Sequence, residues 1–159
     1  MASEASSDKF RTFYKDALKR MATVAATVAP LMEAEEASLK ALLRDLPDAA
    51  REDPSIKRVL FSMKDKARAV QKIVKAIGRK SDLGRAPWIA KNADVKLLMK
   101  MLKEQDNLLH QLGRNGIEVL EGKIAMMKYS KKHLGWRDPD GDIEALEQRL
   151  SKLRPRFNA

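Results

Sequence analysis

Apolar residues recur along this chain at alternating steps of four and three, the spacing that gathers side chains on one face of an α-helix. The first run is Phe10, Tyr14, Ala17, Met21, Val24, Val28 and Leu31, and it predicts a helix from about Ser7 to about Leu46. Pro30 falls inside it. Proline lacks the helical N–H donor and its ring crowds the preceding turn, so a bend is expected there; Leu39, Leu42 and Leu46 resume the pattern on a shifted phase. Two helices meeting at Pro30 satisfy the same pattern.

Pro47 to Asp53 reads as a turn. Asp53-Pro54 then marks a helix start, with a carboxylate as cap and Pro at the first helical position, where its missing donor is not needed. The most regular seam follows: Ile56, Leu60, Met63, Ala67, Val70, Val74 and Ile77 predict a second helix ending near Arg79. A loop is expected through Ser81, Gly84 and Pro87, after which Asn92 or Asp94 can cap a third helix.

In the third helix Val95, Leu98, Leu102, Leu109 and Leu112 precede the tetrapeptide Gly113-Arg114-Asn115-Gly116, and Ile117, Leu120, Ile124 and Met127 continue beyond it. The tetrapeptide is a turn signal whose two glycines cost about 2 kcal/mol inside a helix. A single helix over residues 93–133 would, however, be about 60 Å long at the α-helical rise, matching the first in length. We read a continuous but bent helix. The chain turns again between Gly135 and Gly141, and Asp142 is expected to cap a short last helix to about Leu153. Residues 1–6 are expected to be flexible and 154–159 to form a tail.

The fold class predicted is therefore all-α, an elongated antiparallel helical bundle of three long helices plus a short C-terminal helix, in one domain over residues 1–159. Composition agrees, since 44% hydrophobic content in 159 residues suffices for one core, and 7 Gly, 6 Pro and 5% aromatics leave little for strands and turns. With no cysteine, disulfides, thiolate catalysis and zinc-thiolate sites are excluded. The first eight residues carry two acids and no early basic cluster, unlike a secretory or transit leader, so a cytoplasmic location is expected. The apolar run from Met21 to Met32 is well short of the roughly 20 residues a membrane span needs.

Catalytic and metal signatures fail on spacing. His110 and His133 are preceded three residues earlier by Asn107 and Ser130, not by the glutamates of a di-iron bundle. Asp138-Pro139-Asp140-Gly141-Asp142 resembles the start of a calcium loop, but the sixth and twelfth positions are Ile143 and Arg149 rather than Gly and a carboxylate. Gly116 to Lys123 has the wrong glycine spacing for a phosphate loop, Ile124 in place of a metal-binding hydroxyl, and no preceding strand. Glu33, Glu35 and Glu36 read as a solvated helix face rather than paired catalytic carboxylates. These residues predict no enzyme, metal, cofactor or small-molecule substrate.

Charge is more informative. Residues 1–53 hold 8 basic and 10 acidic side chains, residues 54–137 hold 20 and 7, and residues 138–159 hold 4 and 5, so the net +10 belongs to the second and third helices and their connection. In the second helix Lys57, Lys64, Arg68 and Lys75 each follow a seam position by one residue. In the third, Lys96, Lys103 and His110 do the same, with Lys100 and Arg114 extending the row. If the two helices pack antiparallel seam to seam, equal offsets turn both stripes to one side, making a basic double row about 27 Å long from Lys57 to Lys75. A nucleic-acid backbone or another acidic partner is the expected ligand.

Three other readings compete. The cations solvate exposed faces or are neutralised by acidic helices of the same fold. The chain is a helical adaptor or subunit whose seams bind a homo-oligomer or a helical protein partner. The basic face rests, with less support, on an anionic membrane surface. Trp88 and Trp136, in Gly- and Pro-containing loops beside Arg85 and Arg137, are candidate partner anchors, with lids over the bundle ends the plainer reading. Phe10, Phe13 and Tyr14 belong near the first seam and Phe61 flanks the second, so no stacking platform for bases is expected and phosphate contact is favoured over base reading.

Overall fold

A computed structural model describes residues 11–17, 19–20, 28–85 and 94–157, those from 80 to 85 as backbone alone. Every regular element among them is helical. Residues 11–17 and 19–20 are α1; a 3-10 segment spans Ala29–Ala34, and α2 (Glu36–Asp45), α3 (Asp48–Glu52), α4 (Pro54–Arg85), α5 (Val95–His133) and α6 (Asp142–Phe157) follow. The chain is thus an all-α helical bundle. It divides into two compact units, residues 1–29 with 73–111 and residues 30–72 with 112–159, and α4 and α5 contribute to both.

Prolines set several boundaries. The chain does not bend smoothly at Pro30 into one helix reaching Leu46; it passes through the tighter 3-10 segment, leaves helical geometry at Glu35 (ψ 159°) and restarts at Glu36. Pro30 deletes a donor, and short 3-10 stretches accommodate such interruptions. Leu46 and Asp53, each preceding a proline, are extended (ψ 160° and 126°), because the proline ring bars the residue before it from the helical region. Between them the expected turn contains one helical turn, α3, with Ala50 buried.

Caps follow the sequence closely at two of three starts. Asp53 Oδ1 accepts from the backbone N–H groups of Ser55 (2.9 Å) and Ile56 (3.3 Å) while its Oδ2 accepts from the Tyr129 hydroxyl at 3.0 Å. Asp94 accepts from Leu97 N–H at 2.7 Å; Asn92 lies outside the described residues. At α6 the expected Asp142 cap is replaced by Asp138, whose carboxylate takes the N–H groups of Asp142 (2.9 Å) and Ile143 (3.2 Å). Asp138 holds φ 48°, a left-handed conformation that Asp tolerates, and this aims its side chain at the helix start. Two helices also outrun their expected ends. α4 continues through Ser81 and Gly84 to Arg85, since neither residue costs more than about 1 kcal/mol in a helix and the first residue to forbid one is Pro87. α6 carries on past Leu153 to a buried Phe157, so residues 154–157 are not a tail.

In the second unit α4 and α5 run antiparallel, shown by the Asp53–Tyr129 hydrogen bond, the Lys66–Glu118 ion pair and the packing of Met63 on Gly122. α5 is enclosed here from several sides: neighbours Val119 and Leu120, and Met126 and Met127, are all fully buried. A single seam misses Val119 and Met126 because it assumes one partner, whereas α4, the 3-10 segment, α2 and α6 all contact this stretch. In the first unit Leu98 and Met101 form a core cluster, with Phe13, Tyr14, Leu97 and Leu102 packed against them. Gln105 is buried and donates to Ile77 O at 3.4 Å, so α4 and α5 are also in contact in this unit. Val95, expected in the seam, is instead 44% exposed at the helix start.

α5 is continuous through Gly113-Arg114-Asn115-Gly116, as read from the sequence. Its glycines have a packing reason. A Cβ at Gly113 would collide with the Phe157 ring, and one at Gly116 would come within 2.9 Å of Leu31 Cδ2. Gly78, on α4, has nothing within 4 Å of the corresponding position. Gly78→Ala should therefore stabilise the protein by about 0.5–1 kcal/mol through helix propensity. Gly113→Ala should destabilise it by about 1–3 kcal/mol despite the same propensity gain. Denaturant titrations followed by circular dichroism check both, and a stabilising Gly113→Ala would show that Phe157 does not seat on the α5 backbone.

Candidate functional site

The eight cations singled out in the sequence all belong to described helices and all are exposed. Lys57, Lys64, Arg68 and Arg114 fall in the second unit, and Lys75, Lys96, Lys100 and Lys103 in the first. They are accordingly two sets. Trp88 lies outside the described residues. Trp136 is half-buried beside the end of α5, its backbone N–H bonded to Ser130 O at 3.1 Å.

In the second unit part of the charge is neutralised internally. Arg68 Nε lies 3.3 Å from Glu36 of α2 and its Nη1 3.9 Å from Asp65; Lys57 lies 3.2 Å from Glu52. Glu36 sits below the ordinary carboxylate range: desolvation pushes it up, but the Arg68 hydrogen bond and charge, with Lys40 at 3.6 Å, outweigh that. Arg114 shares its helical stripe with Glu118 and Glu121 at i+4 and i+7, and these acids bind Lys66 and Arg154. The expected basic stripe on α5 therefore gives way to acids past Arg114.

The first unit keeps more of its charge. Lys96, Lys100 and Lys103, spaced four and three, form one stripe over two turns of α5, and Lys75 stands on α4. None of the four makes an ion pair with a described residue, and Asp106 beside the stripe is taken by Arg20 at 2.6 Å. Across both units Lys64, Lys75, Lys96, Lys100, Lys103 and Arg114 have no ion-pair partner among the described residues.

Two features escaped the sequence. Phe61 is 83% exposed on α4, so its place beside the Leu60 seam position does not bury it. Lys123, read only as part of a failed phosphate loop, is buried in the second unit. Its ammonium donates to Glu33 O (2.9 Å) and Ser38 Oγ (2.8 Å), bracketing the end of the 3-10 segment to α2. A positive donor suits the orphan carbonyls of a helix end. The four-and-three spacing of Leu120, Ile124 and Met127 gives no hint of it, because a lysine between apolar neighbours ordinarily snorkels to solvent.

Lys123 borders an open cavity of about 290 Å³ with Glu33, Asp45, Asp142 and Arg149 on its walls. Glu33 is ion-paired to Arg149. Asp142 is raised by desolvation and by the surrounding Asp140, Asp138, Asp45 and Glu33. With two of its protons donated to fixed acceptors, the Lys123 ammonium is a bracket rather than a nucleophile. Among the described residues no group of three His, Cys, Asp or Glu is placed to hold a metal ion. Comparisons of the chain with models of known protein families, with curated proteins and with solved structures find no match.

Burial lowers Lys123 below the ordinary lysine range, with Glu33 opposing, Arg149 reinforcing and Asp142 opposing. A lysine lowered on folding binds fewer protons folded than unfolded, so its contribution to stability rises with pH across the interval that ends near the ordinary lysine value of 10.5. Lys123→Met should cost about 1–3 kcal/mol at neutral pH, since Glu33 O and Ser38 lose a donor. The stability difference between wild type and this variant should widen in favour of wild type as pH climbs toward 10.5. Urea denaturation at several pH values measures it, and a difference that stays flat would place Lys123 in solvent.

Proposed function

We propose that this chain is a non-enzymatic binding protein that contacts a polyanion, nucleic-acid backbone above all, through exposed cations of α4 and α5. One observation carries the reading: six of the eight candidate cations are exposed and have no ion-pair partner among the described residues. Phosphate oxygens are the natural partners of such groups, and release of condensed counterions from the nucleic acid supplies the driving force. Arg68, committed to Glu36, contributes less. The Lys96, Lys100 and Lys103 stripe contributes most, because three cations on adjacent turns act together on a phosphate chain.

A helical protein partner is the second reading, favoured by Val95 and Met99, which are 44% and 59% exposed one turn apart at the start of α5. Among the described residues no helix is long and apolar enough to cross a membrane.

Titration of a fluorescent duplex at several salt concentrations tests the first reading. Wild type should bind with an affinity that falls linearly with the logarithm of salt, and the Lys96→Glu, Lys100→Glu, Lys103→Glu triple variant should bind at least about tenfold more weakly with a slope shallower by about 2–3. Equal affinity and slope in the two proteins would sink the reading. Light scattering of wild type beside Val95→Glu, Met99→Glu examines the second, which requires an assembly that this pair dissolves.

A further inference from the structure

A phenylalanine left 83% exposed about two turns into a long helix forgoes burial that the fold gives fully to Met63 and partly to Leu60. What surrounds Phe61 is the informative part. On a helix the neighbours of a side chain stand three and four positions away, and for Phe61 these are Lys57, Arg58, Lys64 and Asp65. All four are exposed. Arg58 and Lys64 make no ion pair with a described residue, and Lys57 has only a solvent-facing contact with Glu52 at 3.2 Å, both side chains more than half exposed. Asp65 leans toward Arg68, 3.9 Å away. The ring is therefore bounded by three cations, two toward the helix start and one toward its end.

This setting narrows what covers the ring. A helix that lies on a membrane inserts a continuous apolar face, and here the neighbouring positions on Phe61's own face are charged. An apolar pocket of a protein partner would have to desolvate Lys57, Arg58 and Lys64 along with the ring. A nucleobase needs only one π-face, and its own phosphates lie within reach of cations placed one turn to either side. The charge complementarity and the exposed ring of Phe61 are met together by an unpaired nucleotide.

We propose that Phe61 with Lys57, Arg58 and Lys64 is a stacking site for an unpaired base of single-stranded nucleic acid, so that the polyanion bound is one with accessible bases rather than a closed duplex. This rests on the polyanion reading above and adds the partner's strandedness to it. Lys57, Arg58 and Lys64 grip the phosphates that flank the base; Phe61 carries the base itself. Because stacking is tolerant of base identity, the site confers preference for single strands without a sequence code.

The test compares oligo(dT) of about 20 nucleotides with a duplex of the same length, titrated against wild type, Phe61→Leu and Phe61→Tyr, with sedimentation on phosphatidylserine vesicles alongside. Phe61→Leu keeps an apolar side chain and removes the π-face, and Phe61→Tyr keeps the π-face. The expected result is single-strand binding weakened about 5- to 100-fold in Phe61→Leu and near wild type in Phe61→Tyr, with duplex affinity and salt slope unchanged. Equal weakening on both nucleic acids, no weakening on either, or retention of binding by Phe61→Leu would overturn the stacking site. So would a loss confined to vesicle sedimentation, which would assign the ring to lipid. If wild type binds duplex but not oligo(dT), the stacking inference falls and the polyanion reading stands; if it binds neither, both fall.

Discussion

The backbone of α5 is touched directly by its neighbours, and the second unit is organised around that close approach. Phe157 seats on Gly113, Leu31 on Gly116 and Met63 on Gly122, so elements from three different parts of the chain reach the same helix without a Cβ between them. Close approach lets α5 be enclosed on several faces, which is why adjacent residues such as Val119 and Leu120 are both fully buried. A helix surrounded in this way has few outward positions, and that confines its charges. Glu118, Glu121 and Lys128 each answer a charge on a neighbouring element, Lys66, Arg154 and Glu147.

The two units consequently treat charge differently. In the second, acids from α2, α5 and α6 meet bases across helix boundaries, and Arg68, conspicuous in the sequence as one of an unbroken basic row, turns out to be engaged with Glu36. In the first, Asp106 is held by Arg20, and Lys96, Lys100 and Lys103 have no ion-pair partner among the described residues. Such pairs between exposed side chains contribute little to stability, but they decide which cations remain available to a partner. A surface charge is best judged by what opposes it, not by its count.

Much of the fold was legible because helix periodicity and proline chemistry are local. Asp53-Pro54 and Asp94 announce their helices in sequence and cap them in the structure, and the seam of α4 appears where its spacing puts it. What was illegible depends on contacts between distant segments. Asp138 caps α6 only because it adopts a left-handed conformation that no neighbour in sequence requires. Lys123 is buried because the end of the 3-10 segment and Ser38 are brought to it, and the interval between residues 33 and 123 carries no trace of that meeting. Phe61 sits one position from a seam residue, where 100° of helical rotation separates core from solvent and pattern alone does not decide. The candidate cations were correctly placed on exposed faces; which of them are neutralised was not readable, since Glu36 lies 32 residues from Arg68.

The glycines of α5 also bear on how the protein assembles. The stretch 113–116 is a poor helix former in isolation, so its helical state is lent by Leu31 and Phe157, which lie 85 and 44 residues away along the chain. Closing loops of that length precedes the reward of the contact, which places the joining of the two halves of α5 among the later and slower events of folding. Amide hydrogens across these four residues are therefore expected to exchange at a rate set by the docking of remote segments rather than by helix fraying, which would make them an internal gauge of tertiary order in the second unit.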